Sequence, residues 1–200
     1  MTHTELVRFF EQAAHYPTSL REERNRILQT PHHREAAVLL ATVYRESQWQ
    51  ILLTRRADTL RQHTGQIALA GGRRDAADTD LTFTALRETC EETGITASHW
   101  QTFPQLQPYY TPSGYTVAPV PAICEESPPT QANIAEVAEI FYLPLDFALQ
   151  QQNYASRAFH YQGQALTVPT LPYLHYDIWG LTAMILYDLA ERYRHYQQAV

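Results

Sequence analysis

The chain has 200 residues, of which 44% are hydrophobic, so it can bury one sizeable core but falls short of two ordinary domains. The formal net charge of -6 argues against a nucleic-acid partner, because binding to that backbone draws on a surplus of Lys and Arg. Two cysteines suit small buried hydrophobes in a reducing cytoplasm better than a disulfide framework.

The amino-terminal segment carries helical patterns over 5–14 and 20–28 and then a break at Pro31. It predicts a short helical appendage at 1–33, in front of a single domain at 34–200. Its first dozen residues include charged side chains and lack a continuous apolar core, so we expect no signal peptide. We therefore expect a cytoplasmic location. The oligomeric state stays open, and a homodimer with these helices at its interface is one arrangement that the sequence allows.

Two segments rich in Val, Leu and Ile follow, at 36–44 and 49–56, around a polar turn, and they predict a hairpin of strands. The hairpin leads into a loop region with five arginines, Arg55, Arg56, Arg61, Arg73 and Arg74. We assign Arg56 and Arg61 to anionic groups of a substrate, because guanidinium forks match phosphate oxygens. A solvated basic loop is the alternative. Gly71 and Gly72 would let the backbone turn tightly and approach phosphates.

The next segment predicts a short helix with three carboxylates on one side. At about 100° per residue, Glu88, Glu91 and Glu92 fall within an arc of roughly 100°. Phe83, Leu86 and Cys90 cluster on nearly the opposite side, which we expect to face the core.

The ends of this helix are also marked, because Asp78 or Asp80 can cap its start and Gly94 can supply the left-handed residue after its last turn. Arg87 can pair with Glu91 at i, i+4, which leaves two carboxylates uncompensated. A hard divalent cation with oxygen ligands would neutralise them, and the alternative is a solvated acidic helix face.

The rest of the chain alternates strands and loops before a final helix. The predicted elements are strands at 115–124 and 136–145, a hairpin over 159–167 and a helix over 177–197. The most apolar stretch, 178–187, is too short to span a bilayer, so we expect a buried helix and no membrane partner. Strands between a charged helix and an apolar helix predict an α/β/α sandwich with a mixed central sheet.

The segment 72–95 resembles the Nudix box, whose pattern is Gly, five residues, Glu, seven residues, then Arg-Glu-apolar-x-Glu-Glu-x-Gly-apolar. The matching positions are Gly72, Arg87, Glu88, Glu91, Glu92, Gly94 and Ile95. The departures are Asp78 at the first acidic position, one extra residue in the second spacer, and Thr89 at an apolar position. None of them touches the three glutamates that bind metal in the family. The resemblance implies the Nudix fold and Mg²⁺ or Mn²⁺ held by Glu88, Glu91 and Glu92.

Upstream, 52–72 resembles the signature of the coenzyme A pyrophosphatase branch of that family. The positions in register are Leu52, Leu53, Thr54, Arg56, Ala57, Arg61, Gly65, Gly71 and Gly72. Leu69 and Ala70 replace the Phe-Pro pair of the signature. The resemblance covers about 34–190 and implies hydrolysis of coenzyme A to 4'-phosphopantetheine and adenosine 3',5'-bisphosphate.

The implied reaction is attack of water on a pyrophosphate phosphorus. The catalytic set is Glu91, Glu92, Glu136 and Arg87. Glu136 is the candidate base from a later loop or strand, with Glu139 as runner-up, and Arg87 orients a metal-binding glutamate. Tyr115 would present an aromatic face to the adenine or the pantetheine arm, although packing explains any single tyrosine as well.

Two alternatives remain open for the function. One is a Nudix hydrolase for another small nucleotide, such as ADP-ribose, NADH or a nucleoside triphosphate; the loss of the Phe-Pro pair keeps it in play. The other is a non-catalytic ligand-sensing module on the same fold, which the three intact glutamates disfavour.

Overall fold

The computed structural model describes residues 1–28, 34–57, 65–161 and 164–199. The helices are α1 (His3–Gln12), α2 (Ser19–Leu28), α3 (Leu81–Thr93), α4 (Leu145–Ala148) and α5 (Gly180–Ala199). The strands are β1 (Arg34–Arg45), β2 (Gln48–Arg56), β3 (Ile67–Ala68), β4 (Gly71–Arg73), β5 (Gln101–Thr102), β6 (Tyr109–Tyr110), β7 (Tyr115–Cys124), β8 (Val137–Pro144), β9 (Ala155–Tyr161), β10 (Gln164–Tyr173) and β11 (Tyr176–Ile178).

The main sheet is mixed and is built around β1. In the described part of the chain its strand order is β3-β2-β1-β7-β5, with β4 also on β1, β6 on β7 and β8 on β2. Strands β1 and β7 run parallel, whereas β2 and β4 pair with β1 in the antiparallel sense. Because β2 and β4 share one edge of β1, the sheet divides near the end of β2, and this opening lies beside α3.

Alternation along β1 builds a core on each face of the sheet. Ala37, Leu39 and Ala41 pack with Ala85 of α3, while Leu40 belongs to the cluster that includes residues of α1 and α5. Helices therefore cover both faces, and the predicted α/β/α sandwich with a mixed sheet is confirmed. The predicted first hairpin is also confirmed: Arg45 pairs with Gln48 across a two-residue turn.

The amino-terminal helices share the larger of these two cores. Leu6, Phe9 and Phe10 of α1 are all 0% exposed and pack in the cluster that contains the apolar side of α5. Arg192 of α5 is also fully buried, and its guanidinium donates to the carbonyl oxygens of Ala13 (2.6 Å) and Tyr16 (2.6 Å). These helices precede the domain in the sequence, but they pack as part of the same core.

The final helix begins later than the sequence pattern indicated. Asp177 and Ile178 belong to β11, because Tyr176–Ile178 pairs with β10 before the chain turns into α5 at Gly180. The hairpin of β9 and β10 is confirmed by the antiparallel pairing of Tyr161 with Gln164, while its tip lies outside the described residues. No helix within the described ranges combines the length and the apolar character needed to cross a bilayer.

Replacing Phe9 by Ala tests whether α1 is part of the core. Phe9→Ala should lower the free energy of unfolding by about 3–5 kcal/mol, since it opens a cavity at a fully buried aromatic site. Phe83→Ala is the matched control, and a residue 47% exposed should cost no more than about 0.5 kcal/mol. Urea denaturation measures both. Equal, small losses would mean that α1 does not share the core.

Candidate active site

Helix α3 has both of the ends that its sequence indicated. The Asp80 side chain accepts a hydrogen bond from the Phe83 backbone N–H at 2.8 Å, and Gly94 is left-handed, with φ 77°. Of the two predicted capping residues, Asp80 caps the helix and Asp78 has a different role. These ends fix the rotation of α3 and thus the direction of its carboxylates.

The core face of α3 differs from the one expected from the sequence. Phe83 is 47% exposed, Cys90 is only half-buried, and the side that meets the sheet carries Ala85 and Thr89, both 0% exposed. Small side chains let the helix approach β1 closely, and the Thr89 hydroxyl is satisfied by the Ala85 carbonyl at 2.7 Å. Of the three predicted core residues only Leu86 packs against the core cluster that contains Ala85, so hydrophobicity alone located the face in part, because close packing here selects for size.

Arg87 joins the loop before α3 to the acidic side of the helix. Its guanidinium donates to both oxygens of Asp78 at 2.9 Å, to Glu88 at 3.0 Å and to Glu91 at 3.3 Å. It also donates to the Arg73 carbonyl oxygen at 3.1 Å. The bonds from Arg87 hold the pKa of the buried Asp78 carboxyl well below its usual range. In this geometry Asp78 anchors Arg87, and Arg87 orients two of the three glutamates.

Gly71 and Gly72 sit where side chains would collide with the site. A Cβ at Gly72 would lie 2.4–2.6 Å from the carboxyl atoms of Glu88, and one at Gly71 would lie 2.3 Å from the Ala37 carbonyl oxygen. The Gly71 backbone N–H also lies near Glu92 and lowers the pKa of its carboxyl. The glycine pair therefore admits the two carboxylates of Glu88 and Glu92 against the edge of β4.

Glu92 is a buried carboxylate whose charge is poorly compensated. It is 5% exposed, and its Oε2 has no hydrogen-bond partner within the described ranges. Burial raises its pKa to about 8, and the charges of Glu88 and Glu136 add to this, while Arg56 and the Gly71 N–H oppose it. Burial likewise raises the pKa of Glu88, against the influence of Arg87. A bound cation would stabilise a buried carboxylate that has an unpartnered oxygen and only partial compensation of its charge.

The end of the β2–β8 pair brings Arg56 and Glu136 to the same place. The register shifts between Arg55 and Arg56, and the Ala57 N–H donates to the Glu136 carbonyl oxygen at 2.8 Å. The Glu136 side chain is exposed in the turn before β8. The buried Arg56 Nε has no hydrogen-bond partner among the residues described, and its charge acts on Glu92. Residues far apart in sequence thus surround Glu92.

Other predicted site residues are placed differently. Tyr115 begins β7, and one side of its ring is covered by the Arg34 guanidinium, 4.2 Å from the ring centroid. Arg61 lies outside the described residues. Glu139, the second candidate base, is held by Arg55 Nε at 3.4 Å and by the Tyr176 hydroxyl at 2.5 Å. Tyr176 was not identified from the sequence, since no local pattern links it to a residue 37 positions earlier.

The donor set fits a hard divalent cation. Glu88, Glu91 and Glu92 offer carboxylate oxygens, and Glu92 Oε2 is an orphaned buried acceptor, which a cation would satisfy. Across the described ranges, however, no three acidic, His or Cys side chains are already gathered around one point. Arg87 accounts for this, because it holds Glu88 and Glu91 through hydrogen bonds that a bound cation would have to replace in part.

Comparison with known proteins agrees with this geometry. The model of the NUDIX domain family matches residues 32–161, which include β1, the glycine pair, α3 and Glu136. The chain belongs to the Nudix family. Proteins called "Uncharacterized Nudix hydrolase NudL" in Yersinia pestis and Yersinia pseudotuberculosis are 41% identical to it over 160 residues, 80% of this chain and 80% of each relative.

Two solved structures share the Nudix fold. The MutT protein of Methanosarcina mazei superposes with a TM-score of 0.53 at 18% identity, covering 84% of this chain and 99% of that one. The NUDIX domain of Shewanella oneidensis NrtR, crystallised with ADP ribose, gives 0.51 at 19% identity, covering 98% and 99%. At such identities the likeness concerns the fold alone.

As a Nudix hydrolase, the chain is a pyrophosphohydrolase that acts on a small nucleotide substrate, a nucleoside diphosphate derivative. Nudix enzymes generally use divalent metals such as Mg²⁺ or Mn²⁺. The Nudix resemblance is thereby confirmed, whereas the coenzyme A branch stays a prediction.

The Nudix site should lose stability when Asp78 is made neutral. Asp78→Asn should lower the free energy of unfolding at pH 7 by about 3 kcal/mol, because Arg87 then lacks its paired charge. The folded pKa of Asp78 lies below the unfolded value of about 3.9, so its contribution is present above that pH and is lost as the pH falls towards the folded pKa. Urea denaturation at neutral and at acid pH measures this trend.

The control is Asp80→Asn, which keeps a good capping residue and should change little. A loss for Asp78→Asn that does not shrink at acid pH would contradict the ionic origin.

Adding a methyl group at Gly72 should disturb Glu88. Gly72→Ala places a Cβ 2.4–2.6 Å from that carboxylate, so we expect Mn²⁺ affinity to fall by about 10-fold in calorimetric titration. In a Glu88→Ala background the same change should have little further effect, because its target is gone. Equal effects in both backgrounds would place the disturbance elsewhere.

Proposed function

We propose that this Nudix hydrolase cleaves the pyrophosphate bond of coenzyme A or its derivatives, giving 4'-phosphopantetheine and adenosine 3',5'-bisphosphate. The observation that carries the proposal is the signature over 52–72 and its position in the fold. Its described residues include the second half of β2, all of β3 and the start of β4, and they supply Arg56 and the glycine pair beside Glu92. The proposed location is the cytoplasm, and a homodimer stays a prediction.

Glu88, Glu91 and Glu92 are the proposed ligands of Mg²⁺ or Mn²⁺. Bound there, the cation would neutralise phosphate oxygens and lower the pKa of a water. The exposures of the three side chains are graded, from the buried Glu92 through Glu88 at 16% to Glu91 at 56%. Glu92 thus provides the fixed position, and Glu91 can move towards or away from Arg87.

The other residues have separate proposed tasks. Arg56 binds a phosphate oxygen of the diphosphate, because guanidinium forks suit phosphate oxygens and its charge already lies near Glu92. Arg61 and Tyr115 contact the nucleotide or pantetheine half. Glu136 takes the proton from the attacking water, since its exposed carboxylate lies close enough to influence both Glu88 and Glu92. Arg87 orients Glu88 and Glu91.

A second candidate is hydrolysis of ADP-ribose, NADH or a nucleoside triphosphate at the same site. It is favoured by the replacement of the Phe-Pro pair with Leu69 and Ala70, which are 3% and 0% exposed and therefore pack inward. A non-catalytic sensing module is disfavoured, because Glu88, Glu91, Glu92 and their orienting arginine are all present.

The function is tested by incubating the purified protein with coenzyme A, ADP-ribose, NADH and dATP, each with Mg²⁺ or Mn²⁺, and separating the products by anion exchange. We expect adenosine 3',5'-bisphosphate from coenzyme A and little product from the others. AMP from ADP-ribose or NADH would support the second candidate, and no product at all would support the sensing module.

Replacing Glu92 by Gln should separate catalysis from stability. Glu92→Gln should lower turnover by about a hundredfold or more, since it removes a charged oxygen from the proposed cation site. Without metal, thermal unfolding at pH 8 should occur at the same or a higher temperature, because burial has raised the pKa of Glu92 and its ionised form opposes folding there. Unchanged turnover would remove Glu92 from the mechanism.

A further inference from the structure

A cluster of three polar side chains lies on the face of the β2–β8 pair opposite the glutamates. We call Arg55, Glu139 and Tyr176 the Tyr176 cluster. Glu139 Oε2 accepts from Arg55 Nε at 3.4 Å, and Glu139 Oε1 accepts from the Tyr176 hydroxyl at 2.5 Å. Burial raises the pKa of Tyr176 to about 12, so the phenol keeps the proton that it donates. Each oxygen of Glu139 thus accepts one hydrogen bond within the cluster.

The Tyr176 cluster stands at the irregularity that shapes the candidate site. Arg55 pairs with Glu139 in the ladder, but Arg56 pairs with Val137, so β8 has an extra residue at this point. Side chains of consecutive strand residues point to opposite faces, and Arg56 accordingly acts on Glu92 while Arg55 contacts Glu139. A shift of Arg55 along the strand would move Arg56 with it.

Glu136 depends on the same irregularity. The Ala57 N–H holds the Glu136 carbonyl at 2.8 Å immediately beyond the register shift. Arg56 at the end of β2 and Glu136 just before β8 are therefore both positioned by the local path of these strands.

Strand β11 supplies the third member of the cluster and fixes it rigidly. The Tyr176 ring stacks on Phe141 of β8, with centroids 3.8 Å apart and planes at 9°, and the residue is 9% exposed. Tyr176 also pairs with Tyr173 in the β10–β11 ladder. The hydroxyl is thus held against Glu139 by a packed ring and by backbone pairing, at little further cost in side-chain entropy.

We propose that Tyr176, acting through Glu139 and Arg55, is a positioning residue for Arg56 and Glu136. The inference rests on the proposed function for the tasks given to those two residues. It also assigns Glu139 to positioning rather than to proton transfer, because its two oxygens already accept hydrogen bonds on the far side of the strands.

Tyr176→Phe is the first test, since it removes the hydroxyl and keeps the stacked ring. Misplacing Arg56 and Glu136 should lower kcat/KM for coenzyme A by about 10-fold or more, with a rise in KM and a fall in kcat together. Tyr154→Phe is the matched control: it removes a tyrosine hydrogen bond of 2.7 Å, to the Ala148 carbonyl, away from the site. The two variants should lose similar stability in thermal melts, and only Tyr176→Phe should lose activity. Equal activities would overturn the proposal.

Binding of inorganic pyrophosphate tests the same inference without turnover. In calorimetric titration with Mn²⁺ present, Tyr176→Phe and Arg56→Gln should each weaken pyrophosphate binding by about 10-fold, and the double variant should be little weaker than Arg56→Gln. Fully additive losses, or no loss in Tyr176→Phe, would overturn the positioning role. A wild-type protein that binds pyrophosphate but leaves coenzyme A intact would instead refute the proposed substrate alone.

The pH–rate profile separates Glu139 from Glu136. Glu139→Gln should lower the rate but keep the acid limb of the profile, whereas Glu136→Gln should remove that limb. Loss of the limb in Glu139→Gln would make Glu139 the base and contradict the assignment to positioning.

Discussion

The acidic side of α3 depends on a single guanidinium. Arg87 bridges Asp78 in the preceding loop and two glutamates on the helix, and it also donates to the carbonyl oxygen of Arg73, the last residue of β4. Without it, three carboxylates within two helical turns would repel one another and the loop. The fork geometry of Arg matters here, since a Lys ammonium cannot form two parallel bonds with Asp78 while reaching both glutamates.

The Arg87 network leaves Glu92 as the unbalanced charge. In the absence of a cation, burial of the ionised Glu92 carboxylate opposes folding. The Gly71 N–H and the charge of Arg56 compensate that negative charge only in part. Buried charges that are only partly compensated are common at sites that bind a charged ligand. If the protein neutralised such a charge fully by itself, the ligand would gain no electrostatic attraction there. The sheet divides between β2 and β4, next to the carboxylates of Glu88 and Glu92. Because Gly71 and Gly72 have no side chains, no Cβ atom collides with the neighbouring atoms there.

Sequence patterns predicted those parts of the molecule that local chemistry determines. The strands β1, β2 and β7, the capping by Asp80 and Gly94, and the family itself follow from periodicity, capping residues and a spaced motif. The core face of α3 was predicted only in part: Leu86 packs against the core, but Ala85 and Thr89 pack there by size while the more hydrophobic Phe83 remains exposed. The start of α5 was also placed too early, since the pairing of β11 with β10 is a long-range contact.

The family model ends at residue 161, yet the folded unit does not. Phe9 on one side of the matched range and Leu186 on the other pack in the same core cluster, so the sheet would expose a large apolar face without them. Tyr176 adds a polar contact from beyond the match to the strands that carry Arg56. Segments outside the family motifs can therefore determine how accurately the motif residues are positioned. The end of a strand is held in place by the contacts that it makes with neighbouring elements.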